Sequence, residues 1–117
     1  MPTLHIHSNI PPEESSFVEF TAKVTEMLSG ILNKNASFIQ VVYTRSMMEF
    51  GNQPGPSALV ELTSVDLQQK QINELVEPLS KLLERNLGFL PPTTYIQFHT
   101  LGRKHCVWNG RMLPERK

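Results

Sequence analysis

The chain reads as one strand-helix-strand pattern written twice, and that duplication constrains its fold more than any other feature. Residues Thr3–Ser8 alternate, with Leu4 and Ile6 apolar and His5 and His7 polar, a period of two that predicts a strand with one dry face. Pro11-Pro12-Glu13-Glu14 breaks the strand and opens a helix, for which Ser16 and Glu19 form a candidate capping box. Phe17, Phe20, Val24, Met27, Leu28 and Ile31 recur at steps of three and four, on one helical face. Asn33-Lys34-Asn35 ends that helix, and the β-branched and aromatic run 38–45 predicts a second strand.

The pattern then restarts after a Gly- and Pro-rich loop over 51–56. Residues 58–64 are strand-like, and Ser64 or Asp66 is a candidate cap for a second helix. The apolar face of that helix is Ile72, Leu75, Val76, Leu79, Leu82, Leu83 and Leu87, with Gly88 placed as its left-handed terminator. Pro78 is predicted to kink or split the helix, with a bend near 74–77. Pro91-Pro92 forces a turn before a strand over 94–100, and Tyr95-Ile96-Gln97-Phe98 echoes Phe38-Ile39-Gln40-Val41 of the first copy.

Two such units, each with a crossover long enough for a parallel pair, imply an α/β fold: one four-stranded mixed sheet with two helices on one face. Leu4, Ile6, Ile39, Val41, Val60, Leu62, Ile96 and Phe98 are then expected to face the helices. The opposite face carries His5, His7, Gln40, Glu61, Thr63, Gln97 and His99, a mixed surface that suits subunits packed around a wet centre.

A length of 117 residues fits one domain over 1–117, with pseudo-repeats at roughly 2–50 and 57–100 and a tail at 101–117. Eleven basic and eleven acidic side chains balance, so no broad field draws the chain to nucleic acid or lipid. The lone Cys106 excludes an internal disulfide framework and suits a reducing, cytoplasmic compartment. The opening residues lack the pattern of a signal peptide, and no apolar stretch approaches the ~20 residues that span a bilayer.

Pro2 carries the first chemical signal. Removal of Met1 would leave a secondary amine at the start of a strand. An ordinary α-amino group titrates at about 7.7–8. Burial or a nearby cation favours its neutral form, and a neutral amine can take a proton from carbon beside a carbonyl and return it elsewhere.

Met1-Pro2, Asn9-Ile10-Pro11, Asn33-Lys34, Met48-Glu49-Phe50-Gly51, Pro56-Ser57-Ala58-Leu59, Thr63-Ser64-Val65, Leu82-Leu83-Glu84-Arg85, Tyr95-Ile96 and Val107-Trp108-Asn109 follow in an order and spacing that, taken together, are specific. On these residues the chain resembles the macrophage migration inhibitory factor family of the tautomerase superfamily over nearly its whole length. The resemblance implies a homotrimer and a cofactor-free keto-enol isomerase of the phenylpyruvate tautomerase type, acting on aryl 2-keto acids. It implies Pro2 as catalytic base, Lys34 as the cation for the substrate carboxylate, and the Val65 amide as a second contact. It further implies that Tyr95 comes from a neighbouring subunit, with Gln97, Phe38 and Trp108 completing the pocket. Phe38 stands where the family often has tyrosine and Gln97 where it often has asparagine, and Thr3 and Leu113 also depart from typical pocket residues. The Cys-x-x-Cys of the vertebrate cytokine is replaced by Ser57-Ala58-Leu59-Val60, which removes the basis for thiol-disulfide chemistry.

Three rival readings remain open at this level. A cytokine-like binding protein on the same fold would need a protein receptor and no catalysis, and could be secreted without a signal peptide. His5, His7 and His99 could hold a zinc ion, although no acidic partner is evident to orient them. The basic residues Arg103, Lys104, His105, Arg111, Arg116 and Lys117 could contact nucleic acid, but stacking aromatics are not interleaved with them beyond Trp108.

Overall fold

The computed structural model describes residues 2–113. Strand β1 (Thr3–Ser8) leads into helix α1 (Glu14–Leu32), a 3-10 turn at Ala36–Phe38 and strand β2 (Gln40–Arg45). Strand β3 (Ala58–Val65), helix α2 (Gln69–Leu87), a 3-10 turn at Pro91–Thr93 and strand β4 (Thr94–Leu101) repeat that sequence of elements. The sheet order is β2-β1-β3-β4, with β1 parallel to β2, β3 parallel to β4 and β1 antiparallel to β3. The mixed four-stranded sheet read from the duplication is therefore the one formed.

Alternation decides which sheet face is dry. Leu4 and Ile6 of β1 and Val60 and Leu62 of β3 are wholly buried in one cluster with Phe20, Val24 and Leu28 of α1 and Leu75, Leu79 and Leu83 of α2. Val41 of β2, Ile96 and Phe98 of β4, and Ile39 just before β2 join it, as expected, and both helices lie on that single face. Truncating Leu62 to alanine there would cost about 2–5 kcal/mol, the usual range for a buried leucine.

Several local expectations give way to other chemistry. Helix α1 is capped at Glu13 with no side-chain bond, so Ser16 and Glu19 lie inside the helix and form no capping box. Neither Ser64 nor Asp66 caps α2. Ser64 is still strand, Asp66 turns the chain at φ 56°, and Gln68 and Gln71 form the reciprocal cap. The second strand starts at Gln40, because Asn35 accepts the Ser37 amide and holds residues up to Phe38 in a tight turn. Pro78 does not split α2, which runs unbroken from Gln69 to Leu87, anchored on both sides of the proline by Leu75 and Leu79. Gly88 closes that helix at φ 74°, in the left-handed conformation its type permits.

The tail is not a plain extension. A 3-10 turn at Arg103–His105 leads into a two-stranded hairpin, β5 (Val107–Trp108) against β6 (Arg111–Met112). Asn109 and Gly110 take φ 54° and 73°, the mirror-image turn that an Asn-Gly pair favours.

Candidate active site

Pro2 precedes β1 at the end of the sheet where β3 and β4 finish. Its carbonyl accepts the Gln40 amide at 3.0 Å, which docks the chain start against the 3-10 turn before β2. Asn35 stiffens that turn by accepting both the amide and the hydroxyl of Ser37, at 3.0 and 2.9 Å. On the other side, Arg103 and Asp66 form a partly buried ion pair at 2.9 Å that ties the tail to the end of β3. The Leu113 amide donates to the Cys106 carbonyl and closes the hairpin base.

Between these walls lies a cleft of about 440 Å³ with Pro2 and Thr3 at its floor. Phe38 from the turn and Trp108 from the hairpin meet edge to face across it, ring centres 4.9 Å apart. Ser37, Ile39, Gln40, Thr63, Leu101, Cys106 and Val107 complete the lining, which among the described residues holds no charged side chain. In the 117-residue chain the Pro2 ring is less than 2% exposed. An amine at such a place is poorly hydrated when charged, so its neutral form gains. The arrangement can hold a flat, apolar molecule edge-on beside a weak base.

Of the residues singled out from sequence, Pro2, Phe38 and Trp108 come together in this cleft. Lys34, Val65, Tyr95 and Gln97 do not line it. Lys34 follows the left-handed Asn33 that ends α1, with its backbone held at both groups by Ser29. Val65 is 1% exposed and pairs with Leu101 at the last step of β3. Tyr95 pairs with Leu59 toward the other end of the sheet, and Gln97 pairs with Glu61 mid-strand. Tyr95 lies six residues before the cleft residue Leu101 on β4, about 20 Å at the usual strand rise. It is 60% exposed and tilts against Phe50 at 5.2 Å, so it cannot reach Pro2 of its own chain. Cys106, Ser37 and Thr63 enter the site without having been assigned a role from sequence, and the Asn109-Gly110 pair was the signal for the hairpin that brings Cys106 and Trp108 in.

The histidines divide. His5 and His7 stack with ring centres 4.0 Å apart, and His5 Nε2 lies 2.8 Å from the Thr44 hydroxyl. His99 sits on β4, with β3 between it and β1. Among the described residues no three histidine, cysteine or acidic side chains cluster closely enough to bind a metal ion. Arg103 is engaged with Asp66, while Arg116 and Lys117, like Met1, lie outside the described residues. Among the described residues no helix is long and apolar enough to cross a membrane.

A sequence model described as macrophage migration inhibitory factor matches residues 1–114. No curated protein sequence matches the chain. Among solved structures, the chain is similar to a macrophage migration inhibitory factor homologue from Prochlorococcus marinus, at 21% identity and a TM-score of 0.85, covering 94% of this chain and 97% of that one. It is similar to the factor from Trichinella spiralis at 22% identity and TM-score 0.83, covering 95% and 99%. It is also similar to Pt0534, solved after inactivation by 2-oxo-3-pentynoate, at 10% identity and TM-score 0.81, covering 94% of each chain. At these identities the structural likeness speaks for the fold alone.

Proposed function

The chain belongs to the macrophage migration inhibitory factor family, and from that premise we propose that it is a keto-enol tautomerase of aryl 2-keto acids such as phenylpyruvate, with the free amine of Pro2 as base and acid. The observation that carries the reading is Pro2 at the floor of a cleft walled by two aromatic rings. The neutral amine takes a proton from the carbon beside the keto group, and the resulting ammonium returns it to the enolate oxygen. Exclusion of water by Phe38 and Trp108 keeps the amine neutral between turnovers. A carboxylate on the substrate needs a cation, and Lys34, three residues ahead of the cleft residue Ser37, is the group proposed for it, with the Val65 amide beside it. Tyr95 and Gln97 serve the pocket of a neighbouring copy in a homotrimer.

The test is phenylpyruvate ketonisation by protein whose loss of Met1 is verified by intact mass. Pro2→Ala should lower kcat/KM at least about 100-fold, the scale of a lost general base. The neighbour's inactivator offers a second readout. Its triple bond is conjugated to a ketone, so a neutral amine adds to it, and the wild-type mass should rise by one reagent at residue 2. Processed wild type that turns over no faster than buffer would reject the enzyme and favour a cytokine-like binding protein on the inherited fold.

A further inference from the structure

Gln40 is fixed beside Pro2 through both its backbone and its side chain. Its amide donates to the Pro2 carbonyl at 3.0 Å. In extended backbone a residue's nitrogen and carbonyl point to the same side, so the Pro2 nitrogen faces β2, the strand that Gln40 opens. The β1–β2 register pairs Gln40 with Thr3, which puts their side chains on one face, and the Thr3 hydroxyl donates to Gln40 Oε1 at 3.3 Å. That bond occupies the acceptor end of the side-chain amide. The donor end, Nε2, carries two hydrogens, and among the described residues it meets no acceptor. Pro2, Thr3 and Gln40 all line the cleft.

The other polar groups of the cleft are engaged or stand on the wrong side. The Ser37 hydroxyl donates to the Asn35 side chain at 2.9 Å. Thr63 belongs to β3, across β1 from the edge that the Pro2 nitrogen faces. The Cys106 thiol is a weak donor. With no charged side chain in the lining, Gln40 Nε2 is the strong donor left on the amine's own side.

Enolisation builds negative charge on the keto oxygen. The electron pair of the broken C–H bond forms the C=C bond and drives the carbonyl π pair onto oxygen. An N–H already aimed at that oxygen stabilises the charge as it develops. We propose that Gln40 Nε2 is this donor, a catalytic residue that holds the keto oxygen of an aryl keto substrate, and that Thr3 is the positioning residue that sets its amide. The Pro2 nitrogen takes the proton from carbon and gives it to the oxygen, while Gln40 keeps its own hydrogens throughout. A neutral amide answers the oxyanion without favouring the ammonium form of Pro2, which a carboxylate in its place would do. The role in turnover rests on the proposed tautomerase reading, whereas recognition of an aromatic oxyanion by Gln40 does not.

Two measurements separate these. The first follows phenylpyruvate turnover against pH. Gln40→Met, which keeps the length and removes the donor, should lower kcat about 100-fold with KM nearly unchanged, the scale of one lost oxyanion donor. The acidic limb of kcat/KM, which reports the amine, should stay in place, whereas a displaced Pro2 would move it. Thr3→Val should lower kcat about tenfold, Thr3→Ser should restore it, and the double variant should be no slower than Gln40→Met alone. A kcat within about threefold of wild type, or a loss carried by KM alone, would overturn the donor. Additive losses would overturn the positioning role of Thr3. The second measurement titrates 4-nitrophenolate, an aromatic oxyanion with no proton to shift, and reads the fluorescence of Trp108, the chain's single tryptophan. Gln40→Met should weaken its binding about tenfold, as expected for one hydrogen bond to a charged oxygen. Equal dissociation constants, or no binding by wild type, would overturn the donor. Binding that weakens in the variant, beside a wild type that turns over no keto acid, would sustain the donor and sink only the tautomerase reading.

Discussion

Tyr43 is where a single residue links a strand to the start of the first helix. Its hydroxyl donates to the Ile10 carbonyl at 2.6 Å, under the ring of Phe17. Burial pushes its pKa above the ordinary 10.0, against smaller lowering effects of Ser8 and Arg45. The folded chain therefore holds that proton more tightly than the unfolded chain. Its stabilising contribution is complete below the unfolded pKa of about 10 and is lost as pH rises through the higher folded value. Tyr43→Phe should cost about 1 kcal/mol at neutral pH through the lost hydrogen bond, yet flatten the alkaline fall in stability. Urea unfolding from neutrality into strong alkali reads both effects. Asn9 acts at the same scale. Its amide donates to the Met48 and Gly55 carbonyls at 3.1 and 2.8 Å and accepts from the Ser57 amide at 2.9 Å, closing the loop between the two repeats. Sequence offered Asn9 as part of a motif, but these three bonds needed the loop to fold back over 39 residues or more.

At the scale of elements, the C-terminal hairpin is the part on which the cleft depends most. It is two residues a side and turns through Asn109 and Gly110 at positive φ. A side chain that branches at Cβ costs roughly 1–2 kcal/mol in that conformation. Gly110→Val should therefore open the hairpin, withdraw Trp108 from Phe38 and raise KM for an aryl keto acid up to about tenfold. Global unfolding should change little, since Val107, Trp108 and Met112 are about half exposed or more and belong to no part of the main core. A KM equal to wild type would place the hairpin outside the site. The helices behave oppositely. Their apolar stripes were legible as spacing alone, because a 3.6-residue period needs no partner to be read. Their N-terminal caps were not, because capping there turns on which of several polar residues the loop geometry brings to the first free amides, whereas Gly88 was legible as the left-handed end of α2.

At the scale of the molecule, β2 and β4 are edges of the sheet, and the face away from the helices carries Thr3, His5, His7, Glu61, Thr63, Tyr95, Gln97 and His99. Unpaired edges and a half-covered face are what a second copy can bury. The proposed trimer would sediment at about three times the 13.3 kDa of one chain. If Tyr95 of one copy serves Pro2 of the next, mixing Pro2→Ala with Tyr95→Ala subunits should recover activity that neither variant has alone. No recovery after verified subunit exchange would reject a shared site.

The sequence by itself determined the duplicated strand-helix-strand plan and the dry and wet faces of β1 and β3, and it singled out Pro2, Phe38 and Trp108, which line one cleft. Each of these follows from periodicity or from a motif's order, both written along the chain. Tertiary structure decided the rest. It put Tyr95 near the far end of the sheet and Gln97 mid-strand, and paired Asp66 with Arg103 instead of with a helix. Register and loop return create these relations, and they join residues tens of positions apart that no local pattern couples.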